Sequence, residues 1–174
     1  PIATLLPILW RGARVIAHLA KANPHWRDLD GRRALVIVGG PETYVSPSWY
    51  PSKSEHGRVV PTWNYLAVHL TGTVTVHREE AWLRAMVTEL TDRHEGRRAE
   101  PWTVADAPTE YVDGLLQAIV GVELAVERVE GKAKLSQNRP EPDRLGVIAG
   151  LDDTGDAAAS AVADAMRARR PGTA

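Results

Sequence analysis

Cysteine is absent from this chain of 174 residues. Disulfides, thiolate catalysis and cysteine-built zinc or iron–sulfur centres are thereby excluded. Long apolar runs are absent too. No stretch approaches the roughly 20 residues that a membrane helix needs, and no signal-peptide pattern is present. An excess of charge is also missing, with 21 Lys and Arg against 22 Asp and Glu and a net charge of −1. That balance gives the chain no general attraction for nucleic acid. Several chemical signatures are lacking as well. Gly39-Gly40 runs into Pro41 rather than completing a dinucleotide-binding turn, and no P-loop, HExxH or GxSxG pattern occurs. Histidines at 18, 25, 56, 69, 77 and 94 show no helical ligand spacing, so no metal site is expected. The lack of cysteine fits a cytoplasmic protein. The chain opens at Pro1, in an apolar stretch without Met, which reads as a sequence whose true start lies upstream.

What is present is an ordinary globular composition, 44% hydrophobic and 25% charged, at a length suited to one domain. Two strands are expected at 2–10 and 14–20 around Arg11-Gly12-Ala13, because Val15, Ala17 and Leu19 alternate with Ile16, His18 and Ala20. Asn23-Pro24 predicts a capped short helix over 24–29. The run 34–38 reads as a strand buried on both faces, ended by Gly39-Gly40-Pro41, with a further strand at 43–47. The longest alternation covers 65–77. Leu66, Val68, Leu70, Val74 and Val76 face a core, while Tyr65, His69, Thr71, Thr73, Thr75 and His77 form a mixed face. Helical spacing follows at 79–95 and 108–118. Period two returns from Val122, with a slip at Arg128-Val129. Helices are predicted at 142–150 and 155–168, the last peripheral and alanine-rich, with fraying over 167–174. The order predicts an α+β fold with a mainly antiparallel sheet, which at this length commonly closes into a barrel.

Four stretches stand out: "HLAKANPHW" (18–26), "YVSPSWYPSK" (44–53), "VPTWNY" (60–65) and "KLSQNR" (134–139). The second cannot be a helix interior or a central strand, because Pro47 and Pro51 remove donors. It is a stiff loop with the flat rings of Trp49 and Tyr50 beside Ser46, Ser48 and Lys53. Such a loop suits a ligand that is part ring and part phosphate. Lys134, Gln137, Asn138 and Arg139 set two cations and two amides at a strand end. Taken singly, the first stretch reads as a strand end and a capped helix, and the third as a stiffened strand entry.

Together, these four stretches and "PEPDRLGVIAGL" resemble the PaiB-type family of FMN-binding negative transcriptional regulators, from Pro7 to Leu151. The resemblance implies a split β-barrel, mainly antiparallel, of the kind seen in pyridoxamine-phosphate oxidases and flavin reductases, with helices packed outside and a helical C-terminal tail. It implies a barrel domain over 1–140, a helical extension over 141–174, and a further N-terminal helix and strand ahead of Pro1. Ala133 is smaller than the resemblance leads one to expect. The family also implies a homodimer with FMN at the subunit interface, and repression through DNA, a partner or a small-molecule effector. Carried onto this chain, the cofactor residues are His18, Asn23, Ser46, Ser48, Trp49, Tyr50, Lys53, Thr62, Trp63, Asn64, Lys134, Gln137, Asn138 and Arg139. FMN joins a planar ring to a dianionic phosphate, and Lys53, Lys134 and Arg139 supply charge for the latter. No catalytic residue is assigned. The alternatives are a flavin reductase or pyridoxamine-phosphate-oxidase-like enzyme using the same pocket, and a haem-binding split barrel.

Overall fold

The computed structural model describes residues 2–169. Its five strands form one sheet in the order β1-β2-β5-β4-β3. They are β1 (Leu9–Arg11), β2 (Arg14–Ala20), β3 (Arg33–Val45), β4 (Thr62–His77) and β5 (Ile119–Lys134). The helices are α1 (Ser52–His56), α2 (Glu80–Glu95), α3 (Thr109–Leu116), α4 (Glu141–Asp153) and α5 (Ala157–Ala168). The α+β class is as expected. β2 pairs antiparallel with β1 and with β5, in a register that sets His18 opposite Gly121. No helix among the described residues is long and apolar enough to cross a membrane.

The strands differ from expectation in two places. β1 spans only Leu9–Arg11, so the expected strand over 2–10 is not formed. Pro7 has no N–H to give a ladder there. β3 runs unbroken through Gly39-Gly40-Pro41, where a break was expected. It stands at the edge of the sheet order, the one place where a strand interior tolerates a missing donor. Nor is its first half buried on both faces, since Leu35 and Ile37 are 52% and 62% exposed.

The chain forms two compact units. One comprises Pro1–Val36 with Leu70–Val129. Its alternating residues Val15, Ala17 and Leu19 are buried, as are Val120 and Leu124 of β5. Leu83 of α2 packs with Val112 and Leu116 of α3, as the helical spacing predicts. Trp82 lies against Gly121, where a Cβ would strike the ring, and stacks on His77 at 4.1 Å.

The other unit comprises Ile37–His69 with Glu130–Ala174. Its core joins Val45, Tyr50, Leu135, Val147 and Leu151 to Ala159, Val162, Ala163 and Met166 of α5. The peripheral helix expected at 155–168 is therefore corrected. Four of its residues are 2% exposed or less, because small alanines let the helix approach closely. Arg144 is buried beside it and donates through Nη2 to the carbonyls of Met166 (2.8 Å) and Arg169 (3.0 Å). Those bonds satisfy carbonyls that a helix C-terminus leaves open. The fraying expected over 167–174 falls mostly on 170–174, outside the described residues.

Candidate functional site

The proline-rich loop folds as two short turns. Pro47–Trp49 is a 3-10 turn capped by Ser46, whose Oγ accepts the Ser48 N–H at 3.2 Å. α1 follows Pro51. α4 receives the loop along one side, since Asp143, Gly146 and Gly150 sit at i, i+3 and i+7. Asp143 is 2% exposed and accepts both the Ser52 N–H at 3.1 Å and the Ser52 hydroxyl at 2.7 Å. The Trp49 carbonyl lies against Gly146 and its ring against Gly150, so a Cβ at either glycine would collide. Lys53 emerges exposed from this anchored loop, its Nζ donating to Ser48 Oγ at 3.2 Å.

The turn after β5 is equally fixed. Ser136 adopts φ +59, a left-handed conformation uncommon outside glycine. Its buried hydroxyl holds that position by exchanging hydrogen bonds with Asn64. Asn64 Nδ2 donates to Ser136 Oγ at 3.1 Å, and Ser136 Oγ lies 3.2 Å from Asn64 Oδ1. Asn64 Nδ2 also reaches Met166 Sδ at 3.5 Å. Gln137 closes the turn on itself, accepting the Leu135 N–H at 2.6 Å and donating to the Ala133 carbonyl at 2.7 Å. The chain then lays the Arg139 guanidinium over the Tyr50 ring, 4.7 Å from its centroid.

All the expected site residues except His18 and Asn23 thus fall in one compact unit. Arg139 and Tyr50 join the turn to the loop. Lys134 donates to Thr62 Oγ1 at 2.6 Å. Trp63 is 46% exposed, meets Tyr44 edge-on and points its Nε1 to Glu42 at 3.4 Å. Asn138 is exposed. Asn64 and Gln137 hold their side-chain amides in hydrogen bonds within the protein, and the Trp49 ring packs on Gly150. In the other unit, Asn23 caps the 3-10 turn Pro24–Asp28 by accepting the His25 N–H at 3.0 Å, so the local reading of its motif is enough. His18 is half-buried on β2 with no partner for its Nδ1, and burial lowers its pKa. Sequence reasoning missed Asp143, Arg144, Gly146, Gly150 and Ser136. The helical spacing of Asp143, Gly146 and Gly150 was the available signal.

The donor set fits a phosphate. Among the described residues, Lys53, Lys134 and Arg139 have no carboxylate partner. Arg139 presents only its face to Tyr50, which leaves its N–H edge unused. The Tyr50 hydroxyl is buried without a partner, an orphaned polar atom in the loop itself. No cluster of histidine, aspartate and glutamate suited to a metal occurs among the described residues. A groove of about 410 Å³ in the same unit is lined by none of the expected site residues.

The family model described as "Putative FMN-binding domain" matches residues 1–128. The protease synthase and sporulation protein PAI 2 of Bacillus subtilis is 33% identical over 171 residues, covering 95% of this chain and 80% of that protein. Two solved structures share the fold. The FAD and heme binding protein from Mycobacterium smegmatis has a TM-score of 0.54 at 23% identity, over 77% of this chain and 60% of that one. The flavocytochrome Anf3 from Azotobacter vinelandii has a TM-score of 0.52 at 16% identity, over 77% and 56%. This chain therefore spans less than two thirds of either solved chain.

Proposed function

Since the chain belongs to the PaiB-type family of FMN-binding proteins, we propose that it is a split-barrel flavoprotein that holds FMN by its phosphate at Lys53 and Arg139 and uses it for redox chemistry. The carrying observation is the Arg139 guanidinium laid over Tyr50, a residue of the same anchored loop that carries Lys53, with no carboxylate partner on either cation among the described residues. Bound FMN supplies hydride and electron transfer. The protein's part is to bind and orient. Lys53 acts as a point charge, Arg139 offers a two-pronged grip, and Ser46 and Ser48 add hydroxyls. Asp143 fixes the loop beforehand, so little ordering entropy is lost on binding. Redox use is favoured by the flavin- and haem-binding proteins that share the fold. Hydride chemistry on a flavin asks mainly for positioning, which suits a site without an assigned acid or base.

The reading includes closure of the sheet as a split barrel and a homodimer with the flavin at its interface. A self-complementary contact would use the mixed face of β4, with Tyr65, His69 and Thr71. Light scattering at micromolar concentration should show a dimer, and a monomer would remove the interface site. Flavin absorption in the purified protein, or saturable uptake of added FMN, tests the cofactor. A Soret band without flavin bands would assign the pocket to haem instead.

A second reading, favoured by the similarity to PAI 2, is an FMN-binding repressor responding to a small-molecule effector. A net charge of −1 argues for weak DNA contact by this segment. Tight, sequence-selective DNA binding at physiological salt would favour that reading over redox use.

A further inference from the structure

The groove of about 410 Å³ stands apart from the loop and turn assigned above. Its size lies within the range usual for small-molecule sites. Gly39 and Gly40 of β3, Leu66 and Val68 of β4, Lys132 of β5 and Arg169 after α5 line it. The glycines make its floor. A Cβ on Gly40 would stand 2.9 Å from Leu66 Cβ and 3.1 Å from the Leu66 carbonyl, so only glycine permits this close approach of the strands. At Gly39 the space is open, with nothing within 4 Å of an added Cβ. The bare floor is flanked by aliphatic side chains, a surface that gains by excluding water.

The charges around it have one sign. Neither Lys132 nor Arg169 has an ion pair or a side-chain hydrogen bond among the described residues. Two cations without partners beside an apolar trough complement an anion that carries an apolar body. A bare inorganic anion would leave the trough wet, and a neutral apolar molecule would leave both cations without a counter-charge.

We propose that this groove is a second ligand site, separate from the FMN phosphate cluster, for a small amphipathic anion with a carboxylate or similar head and an aliphatic or ring-shaped body. Lys132 and Arg169 hold the head, and Leu66 and Val68 cover the body. Such a site gives the chain a place for a small-molecule effector, and it stands whether or not FMN binds at Lys53 and Arg139.

Calorimetry with decanoate tests it on the full chain, with decanol and acetate as the two half-ligands. Decanoate should bind saturably and at least about tenfold more tightly than either, because each lacks one of the two interactions. Lys132→Ala and Arg169→Ala should each weaken decanoate about tenfold. FMN affinity should be unaltered in both variants, and FMN should not displace decanoate. No saturable decanoate binding, or binding unaffected by both Lys132→Ala and Arg169→Ala, overturns the site. Displacement of decanoate by FMN makes the groove part of the flavin pocket and equally overturns it.

Discussion

Asp143 and Ser52, 91 positions apart, are bound to one another twice: one carboxylate oxygen takes the serine N–H and the other its hydroxyl. Both residues are buried. Asp143→Ala would leave two donors without partners in the interior. It should destabilise the fold by about 3 kcal/mol, with Asp143→Asn milder because one acceptor remains. Urea midpoints measure both. Equal midpoints for Asp143→Ala and the parent would show that the loop needs no anchor.

Glycine-to-alanine changes should have opposite signs at two helical sites. Gly114 of α3 has nothing within 4 Å of an added Cβ, so Gly114→Ala should stabilise by up to about 1 kcal/mol through helix propensity. Gly146→Ala places a methyl against the backbone carbonyl of Trp49 and should destabilise despite the same propensity. Thermal midpoints of the two variants should move in opposite directions.

At the proposed phosphate site, Lys53→Ala and Arg139→Ala should each weaken FMN roughly ten- to hundredfold, the loss of one charge-assisted contact. Asn138→Ala should change FMN affinity far less, since Asn138 carries no charge. Fluorescence titration of FMN reads all three. Unchanged affinity in both cation variants would place the phosphate elsewhere.

His18 predicts a pH dependence. Burial lowers its folded pKa beneath the ordinary value of about 6.5, so in that window the unfolded chain binds more protons. Its share of stability is complete above about pH 6.5 and is lost as pH falls through the folded pKa. The difference in urea midpoint between the parent and His18→Gln should therefore shift against the parent from pH 7.5 to pH 5. A difference independent of pH would mean that the buried imidazole does not titrate with unfolding.

Local chemistry was legible in the sequence and long-range chemistry was not. The alternation of Leu70 and Val74, the Asn23 cap and the helical stripe of Leu83 and Met86 all follow from periods of two and 3.6 or from a single side chain reaching its own backbone. The partnership of Asn64 with Ser136 spans 72 positions, and nothing in either neighbourhood announces it. It holds Asn64 to the turn that carries Ser136. α5 misled because alanines look weakly hydrophobic by count, whereas their burial depends on how closely a partner can approach. Pro41 misled because its effect depends on whether a neighbouring strand needs its N–H, which is a property of sheet order. Among the expected site residues, the cations Lys53 and Arg139 were easier to nominate than the amides, because charge needs no partner to be recognised.

Pro41 has a consequence for how this chain behaves in a crowded solution. An edge strand of thirteen residues is a template on which foreign strands can grow, and exposed Leu35 and Ile37 make its first half adhesive. The proline deletes one rung from the middle of that template, and the two glycines before it offer an incoming chain no side chain to grip. Recruitment along the whole edge is blocked at the rung where it would have to become continuous. Replacing Pro41 would lengthen the uninterrupted ladder and, with it, the segment able to seed fibrils.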